Sequence, residues 1–138
     1  SAKKGSVEVE ELFGLYSFPT VHQLISTVVS EIDDSENWGK VLKDTFPMGS
    51  MTGAPKVSAM EIIEKYEVFK RGLFSGAIGY VDPSGDFDFN VVIRSLIYSA
   101  DKKYVSVHTG GAITFKSIPL KEYEETVNKA KALINALR

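Results

Sequence analysis

The sequence contains no cysteine among its 138 residues. A disulfide framework, a thiolate nucleophile and a thiolate metal site are therefore excluded. The chain also lacks an apolar run of about 18 residues, the length that a membrane-spanning helix needs, and its first residues show no signal-peptide pattern. These absences predict a soluble, cytoplasmic protein.

Neither sign of charge is in clear excess, because 16 basic side chains face 18 acidic ones and leave a formal net charge of −2. A general nucleic-acid-binding protein or a polybasic membrane surface would be strongly basic, so the sequence disfavours both. The length is that of one domain, or of part of a larger one. Since no repeat or internal linker interrupts the sequence, we expect residues 1–138 to form a single unit.

Hydrophobic periodicity predicts an α+β fold, in which an antiparallel β-meander packs with about four helices around a compact core. After extended segments at 7–9 and 12–16, a Thr20 cap predicts a helix to about residue 33. A shorter helix capped by Ser35 follows. Two more helices are predicted at 55–66 and 119–137. The predicted strands lie at 73–81, 87–99, 104–109 and 112–115.

The segment F-P-M-G-S-M-T-G-A-P-K at residues 46–56 is the most distinctive motif. Its glycines permit close backbone approach, and Pro55 suits the first position of a helix. The free N–H groups of that helix would then face a ligand held above Ser50 and Thr52, which predicts an anion site. An ordinary helix entry is the alternative. The segment is not a P-loop, because Lys56 does not directly follow the second glycine.

Three other groups of residues suggest binding chemistry. Arg94 lies in an apolar predicted strand and needs an anionic partner, which is either Asp86 or Asp88 or a ligand carboxylate. The Gly110-Gly111 pair permits an anion-binding turn, or simply a turn. On the last predicted helix, Glu122, Glu125 and Lys129 share one face, and a solvated face with an intrahelical ion pair is the alternative to a binding role.

These motifs occur in an order that resembles one family. T-V-H-Q-L with His22 precedes the 46–56 segment, and M-E-I-I, G-A-I-G-Y ending at Tyr80, V-I-R-S, Gly110-Gly111 and E-Y-E-E-T follow it. Residues 7 to 138 resemble the chorismate-utilising enzymes. The resemblance is to the C-terminal part of component I of aminodeoxychorismate (para-aminobenzoate) synthase and to the related component I of anthranilate synthase.

The resemblance implies a role for each residue. His22 and Thr52 would be catalytic, the imidazole acting as general acid or base near the hydroxyl lost from C4 of the ring. Glu122 and Glu125 would ligate or orient Mg²⁺. Ala112 stands where the family usually has a third glycine, and Phe115-Lys116 replaces a more typical Ala-Asp. The substrate-binding residues would be Ser50, Tyr80, Arg94, Gly110, Gly111, Ala112 and Lys129.

Three motifs of the family are absent from this sequence: D-L-x-R-N-D, the lysine motif P-I-K-G-T and an upstream glutamate pair that completes the metal site. We therefore expect a C-terminal fragment of a longer chorismate-binding domain, inactive alone and prone to self-association through uncovered strand edges.

The function that this resemblance implies is amination of chorismate by ammonia from a glutamine amidotransferase partner, giving 4-amino-4-deoxychorismate for p-aminobenzoate and folate synthesis. Ser50-Met51-Thr52 resembles the aminodeoxychorismate form, because anthranilate synthases more often have Thr and Ser at these positions. The alternatives are anthranilate synthase component I, in tryptophan biosynthesis, and a small anion-binding module without catalysis.

Overall fold

The computed structural model describes residues 1–19, 21–33 and 37–137, and the chain divides into two compact units, Ser1–Phe46 and Pro47–Arg138. Both contain antiparallel strand pairs and helices, so the predicted α+β class is confirmed. That residues 1–138 act as one unit of a larger domain stays a prediction. No helix within the described ranges is long and apolar enough to cross a membrane.

The first unit is a β-hairpin followed by a helix. Strand β1, Glu8–Ser17, pairs antiparallel with β2, His22–Val29, with register irregularities between Val9 and Gly14. Helix α1 spans Trp38–Thr45, and the Asn37 side chain caps it by accepting a 3.0 Å hydrogen bond from the Lys40 N–H. The predicted caps Thr20 and Ser35 lie outside the described residues.

The helix predicted to run to about residue 33 is wrong, because the segment forms β2. Its apolar residues do fall at helical spacing, but the same segment is rich in β-branched side chains, which fit a pleated strand better than a helix. In the strand, the half-buried residues include Gln23 and Ile25, which follow the alternation of a strand. Pairing with β1 therefore overrides the apparent helical period.

The second unit contains three helices and four strands among its described residues. They are, in chain order, α2 Gly49–Thr52, α3 Lys56–Tyr66, β3 Ala77–Val81, β4 Phe87–Val91, β5 Leu96–Ser99, β6 Tyr104–Val107 and α4 Pro119–Asn135. The helices predicted at 55–66 and from Pro119 are confirmed within one or two residues, although Pro55 caps α3 rather than beginning it. Helix α2 was not predicted.

The predicted β-meander is instead two separate two-stranded sheets, β3–β4 and β5–β6. The predicted strand 87–99 breaks at Arg94, whose φ of 50° is incompatible with a strand. Pairing of β3 with β4 continues only as far as Val92, whose N–H donates to the Gly76 carbonyl at 2.9 Å. The described residues 112–115 form no strand, which corrects that prediction as well.

A tight turn joins β3 to β4, as predicted. The Asp82 carboxylate accepts hydrogen bonds from the Ser84 hydroxyl at 2.6 Å and from the Ser84 N–H at 2.9 Å. These bonds lower the pKa of Asp82. Gly85 takes the positive φ of 96° that closes the turn.

The predicted compact core is not found. Val92, at 7% exposure, is the only buried hydrophobic side chain in the part of the chain that the structure describes. Large apolar side chains stay exposed in both units, among them Leu12, Leu15 and Leu24 in the hairpin and Val68 and Phe115 in the second unit. The apolar pattern is therefore that of a protein interior, but most of it is uncovered here.

Candidate active site

The predicted glycine turn lies against α4. Lys129 Nζ donates a hydrogen bond to the Gly110 carbonyl at 3.0 Å, and Thr109 Oγ1 donates one to the Thr126 carbonyl at 3.1 Å. Two bonds from separate side chains thus tie the turn to the helix. Gly110 and Lys129, predicted from distant motifs, are brought together.

The N–H groups of this turn are available to a ligand. Within the described residues, the backbone N–H groups of Gly110, Gly111 and Ala112 donate no hydrogen bond. All three residues are exposed, and the Lys129 ammonium lies against the carbonyl of the first of them, Gly110. Successive free N–H groups next to a cation are the arrangement that binds a carboxylate or another anion.

The Glu122 carboxylate lies close to the backbone of Gly111. A Cβ at Gly111 would lie 3.2 Å from Glu122 Oε2, closer than side-chain atoms usually pack. Glu122 belongs to the first turn of α4, where the helix dipole stabilises a carboxylate. Among the described residues, the Glu122 carboxylate has no ion-pair or hydrogen-bond partner.

Glu125 and Lys129 form an ion pair one helical turn apart, with 2.5 Å between Oε1 and Nζ. The intrahelical pair that was the alternative interpretation is therefore present. An exposed pair of this kind contributes only a few tenths of a kcal/mol. Lys129, however, also reaches off the helix to Gly110, so its position serves the turn as well as the pair.

Glu122 and Glu125 offer a metal ion two carboxylates. In the described parts of the chain, no three His, Cys, Asp or Glu side chains come close enough to hold a metal. Mg²⁺ is commonly held by one or two carboxylates, with waters and substrate oxygens completing its octahedron. The donor set therefore fits a magnesium ion that is shared with an anionic substrate.

The hydroxyl-rich motif forms the four-residue helix α2 rather than a flexible turn. Thr52 Oγ1 donates to the Met48 carbonyl at 3.1 Å and is partly buried, whereas Ser50 is exposed. Gly53 ends the helix with φ 130° and ψ −174°, a conformation restricted to glycine. Ser50 is thus open to a ligand, while Thr52 is held by the backbone.

Arg94 is exposed in the bend after β4 and not inside a sheet as predicted. In the described ranges its guanidinium forms no ion pair, so the alternative pairing with Asp86 or Asp88 is not found. Tyr80 is 64% exposed in β3, opposite Asp88, and no hydrogen bond joins it to Arg94 within the described residues. That Tyr80 and Arg94 bind one substrate carboxylate stays a prediction.

His22 lies on β2, opposite Ser17 in the register. Its Nδ1 is 2.9 Å from Ser17 Oγ, and the ring is exposed. His22 belongs to the unit Ser1–Phe46, whereas the other predicted site residues belong to Pro47–Arg138.

Sequence reasoning missed Arg71. Its Nε donates to Glu67 Oε2 at 2.8 Å and its Nη2 is paired with Glu67 Oε1, while Nη1 donates to the Met51 carbonyl at 2.9 Å. The hydrogen bond from Arg71 lowers the pKa of Glu67, and the same bond raises the pKa of Arg71. The i,i+4 spacing of the two charges was the available signal.

His108 was missed too. Its ring lies 5.5 Å from that of Phe69 and 5.6 Å from that of Phe74, with which it is stacked. The Nδ1 atom is buried without a hydrogen-bond partner among the described residues. His108 lies two residues before Gly110, so these rings pack beside the segment that leads into the glycine turn.

Comparison with known proteins identifies similar chains. A family model described as chorismate binding enzyme matches residues 1–135. Anthranilate synthase component 1 of Aquifex aeolicus is 43% identical over 136 residues, covering 99% of this chain and 27% of that protein. A putative aminodeoxychorismate synthase of Schizosaccharomyces pombe is also 43% identical over 136 residues, covering 98% of this chain and 19% of that protein.

A solved structure matches as well. The crystal structure of anthranilate synthase component I from Streptococcus pneumoniae superimposes with a TM-score of 0.84 and 38% identity. The match covers 91% of this chain and 28% of that one. The chain therefore spans less than a third of the length of these relatives, and both units fall within the single family match.

Proposed function

Because this chain belongs to the chorismate-binding enzyme family, we propose that the complete native polypeptide containing it aminates chorismate. Ammonia replaces the hydroxyl at C4, giving 4-amino-4-deoxychorismate and water. The observation that carries the proposal is the group of free N–H donors at residues 110–112 beside Lys129 and two carboxylates. Chorismate is a dicarboxylate, and this group offers both anion and metal recognition.

In this proposal the exposed cationic groups bind the two carboxylates of the substrate. The turn N–H groups, with Lys129, bind one anionic end of chorismate. Arg94 is exposed and unpaired among the described residues, so its planar guanidinium is free to bind a carboxylate in a bidentate manner. Tyr80 and Ser50 add hydroxyl donors from other segments. Holding both ends of the substrate fixes the ring for attack.

Chemistry at the ring requires proton transfer. The bond from C4 to oxygen breaks as the bond from C4 to nitrogen forms, and the departing hydroxyl needs a proton to leave as water. In the proposed mechanism His22 would be the general acid, the role that the family resemblance implies for its imidazole. Its contact with Ser17 Oγ would orient the ring. Thr52 is the second catalytic residue of the proposal.

In the proposed site, Glu122 and Glu125 would hold Mg²⁺ together with substrate oxygens and water. Bound there, the ion would neutralise the ring carboxylate of the substrate. Glu125 must then share its oxygens between the ion and Lys129, with which it is already paired. Glu122 is the less encumbered ligand, because it has no ion-pair partner among the described residues.

The ammonia would come from a glutamine amidotransferase subunit or domain. The word component in the name of the Aquifex aeolicus relative supports a second subunit. By itself the present chain would have part of the substrate site and would self-associate through its exposed apolar surfaces.

Formation of anthranilate is the second candidate. The relatives named as anthranilate and as aminodeoxychorismate synthases are equally identical to this chain, at 43%. Ser50-Met51-Thr52 favours the 4-amino product, and a small anion-binding module without catalysis is the third alternative. The position of the new amine distinguishes the two reactions.

The test is an assay of the complete native polypeptide with chorismate, an ammonium salt and Mg²⁺, with the products separated and identified by mass spectrometry and NMR. We expect an amine at C4 and no release of pyruvate. Anthranilate with equimolar pyruvate would select the second candidate, and unchanged chorismate would overturn both. Exchanging the hydroxyl residues, in Ser50→Thr with Thr52→Ser, should shift the product ratio if these positions determine specificity.

A further inference from the structure

We infer that Arg71 is a positioning residue that holds the Ser50 and Thr52 hydroxyls in place through the backbone between them. Arg71 Nη1 donates to the Met51 carbonyl at 2.9 Å. Arg71 is 20 residues further along the chain and follows α3, so the bond is a tertiary contact. This inference rests on the proposed function only for the claim that the two hydroxyls meet substrate.

Helix α2 needs such a partner. In four residues it satisfies few of its own carbonyls: Met48 accepts from the Met51 N–H, and Gly49 accepts from the Gly53 N–H. The Met51 carbonyl receives no hydrogen bond from an N–H of α2, because the last carbonyls of any helix have no donor within the helix. Arg71 supplies the donor and so fixes the end of α2 at the residue between the two hydroxyls.

A guanidinium is required for this geometry. Glu67 takes Nε and Nη2 in a bidentate pair, which leaves Nη1 to reach Met51 and, at 2.7 Å, the Ser75 hydroxyl. Both charged side chains are largely covered, with exposures of 23% for Arg71 and 29% for Glu67. A lysine ammonium would be a single point of contact and could not span these acceptors. Nε, Nη1 and Nη2 of Arg71 each donate to a protein acceptor, so we assign Arg71 a positioning role and not that of a substrate ligand.

Arg71 also contacts residues that support the other two proposed binding segments, which are the bend at Arg94 and the glycine turn. Ser75 is buried, with a φ of 71°, and its N–H donates to the Val92 carbonyl at 3.0 Å, two residues before Arg94. The Arg71 guanidinium carbon lies 6.0 Å from the Phe74 ring, which is stacked on His108 before the glycine turn. The Arg71 guanidinium therefore contacts a residue beside each proposed binding segment: Met51 in α2, Ser75 near the Arg94 bend and Phe74 near the glycine turn.

The test compares Arg71→Lys and Arg71→Met with Lys70→Met in the complete native polypeptide. Lys70 is the matched control, because it is adjacent, 91% exposed and paired only with the exposed Glu64 among the described residues. Hydrogen exchange of the Met51 and Gly53 amides is the first measurement, and it does not depend on turnover. We expect faster exchange in both Arg71 variants and parental exchange in Lys70→Met.

Steady-state kinetics with chorismate is the second measurement. Displacement of the Ser50 and Thr52 hydroxyls should lower kcat/KM by about tenfold to a hundredfold in Arg71→Lys. The melting temperature of this variant should stay close to that of Lys70→Met. Should Arg71→Met fail to fold, Arg71→Lys decides. Parental exchange of the two amides in a folded Arg71→Lys would overturn the inference, even if chorismate is consumed. Absence of any chorismate conversion by the parent, with faster exchange in the variant, would overturn the proposed function alone.

Discussion

Lys129 donates a 3.0 Å hydrogen bond to the Gly110 carbonyl while its ammonium stays paired with Glu125 at 2.5 Å. One side chain therefore joins the glycine turn to the carboxylate face of α4. The position of the turn N–H groups depends on a helix that begins eight residues after Gly111, at Pro119.

Replacing Lys129 by Met should loosen the glycine turn and weaken chorismate binding. The variant loses a charged hydrogen bond of roughly 1.5 kcal/mol, so we expect KM to rise by about tenfold. Lys131→Met is the control, since Lys131 lies on the same helix and donates only to Asn128 among the described residues. Equal KM values in the two variants would remove Lys129 from the substrate site.

Glu122 and Glu125 should set the magnesium requirement. A Gln at either position keeps the side-chain size but removes the negative charge, so the Mg²⁺ concentration at half-maximal activity should increase by at least about tenfold. Glu124→Gln is the control on the same helix, because Glu124 lies outside the shared face. A metal titration of Glu125→Gln that overlays the parent curve would leave only the ion pair with Lys129.

Loss of the Arg94 guanidinium should reduce kcat/KM by about tenfold to a hundredfold, the equivalent of one hydrogen bond to a charged group. The variant to compare is Arg94→Asn, because asparagine accepts the positive φ of 50° better than alanine does. Arg94→Ala would combine loss of the charge with backbone strain. An Arg94→Asn enzyme with parental kcat/KM would show that this guanidinium does not bind a carboxylate.

The sequence predicted best where local chemistry decides the structure. Pro119 begins α4, the 82–85 turn closes a hairpin, and Glu122, Glu125 and Lys129 lie together because helical spacing imposes it. The strand β2 was mistaken for a helix, because β-branched residues at helical spacing satisfy both patterns and the β1 partner decides between them.

Tertiary contacts account for what the sequence did not show. Arg71 bonds to Met51 across 20 residues, and no local pattern indicates such a contact. The apolar residues around Arg94 predicted a continuous strand, whereas Arg94 adopts a positive φ that ends it. The exposed apolar residues likewise have a core-like pattern, and the described part of the chain leaves them uncovered.

The Glu67–Arg71 pair should make stability depend on pH in the acidic range. The folded-state pKa of Glu67 is lowered from its usual 4.5 by the hydrogen bond from Arg71. Its stabilising contribution is therefore complete above pH 4.5 and is lost as the pH falls through the lowered value. Glu67→Gln should flatten this part of the profile in urea unfolding of the complete polypeptide, whereas Glu64→Gln, at an exposed pair, should not.

The 138-residue chain by itself should convert no chorismate and should self-associate. The proposed metal site would have only Glu122 and Glu125 from this chain, and Val92 is the only buried hydrophobic side chain among the described residues. Exposed apolar side chains such as Leu12 and Phe115 favour association, and the strand edges of two-stranded sheets add unpaired backbone groups. Sedimentation should show a weight-average mass that increases with concentration above the 15.2 kDa of one chain. A strictly monomeric chain that turns over chorismate as fast as the complete polypeptide would contradict both expectations.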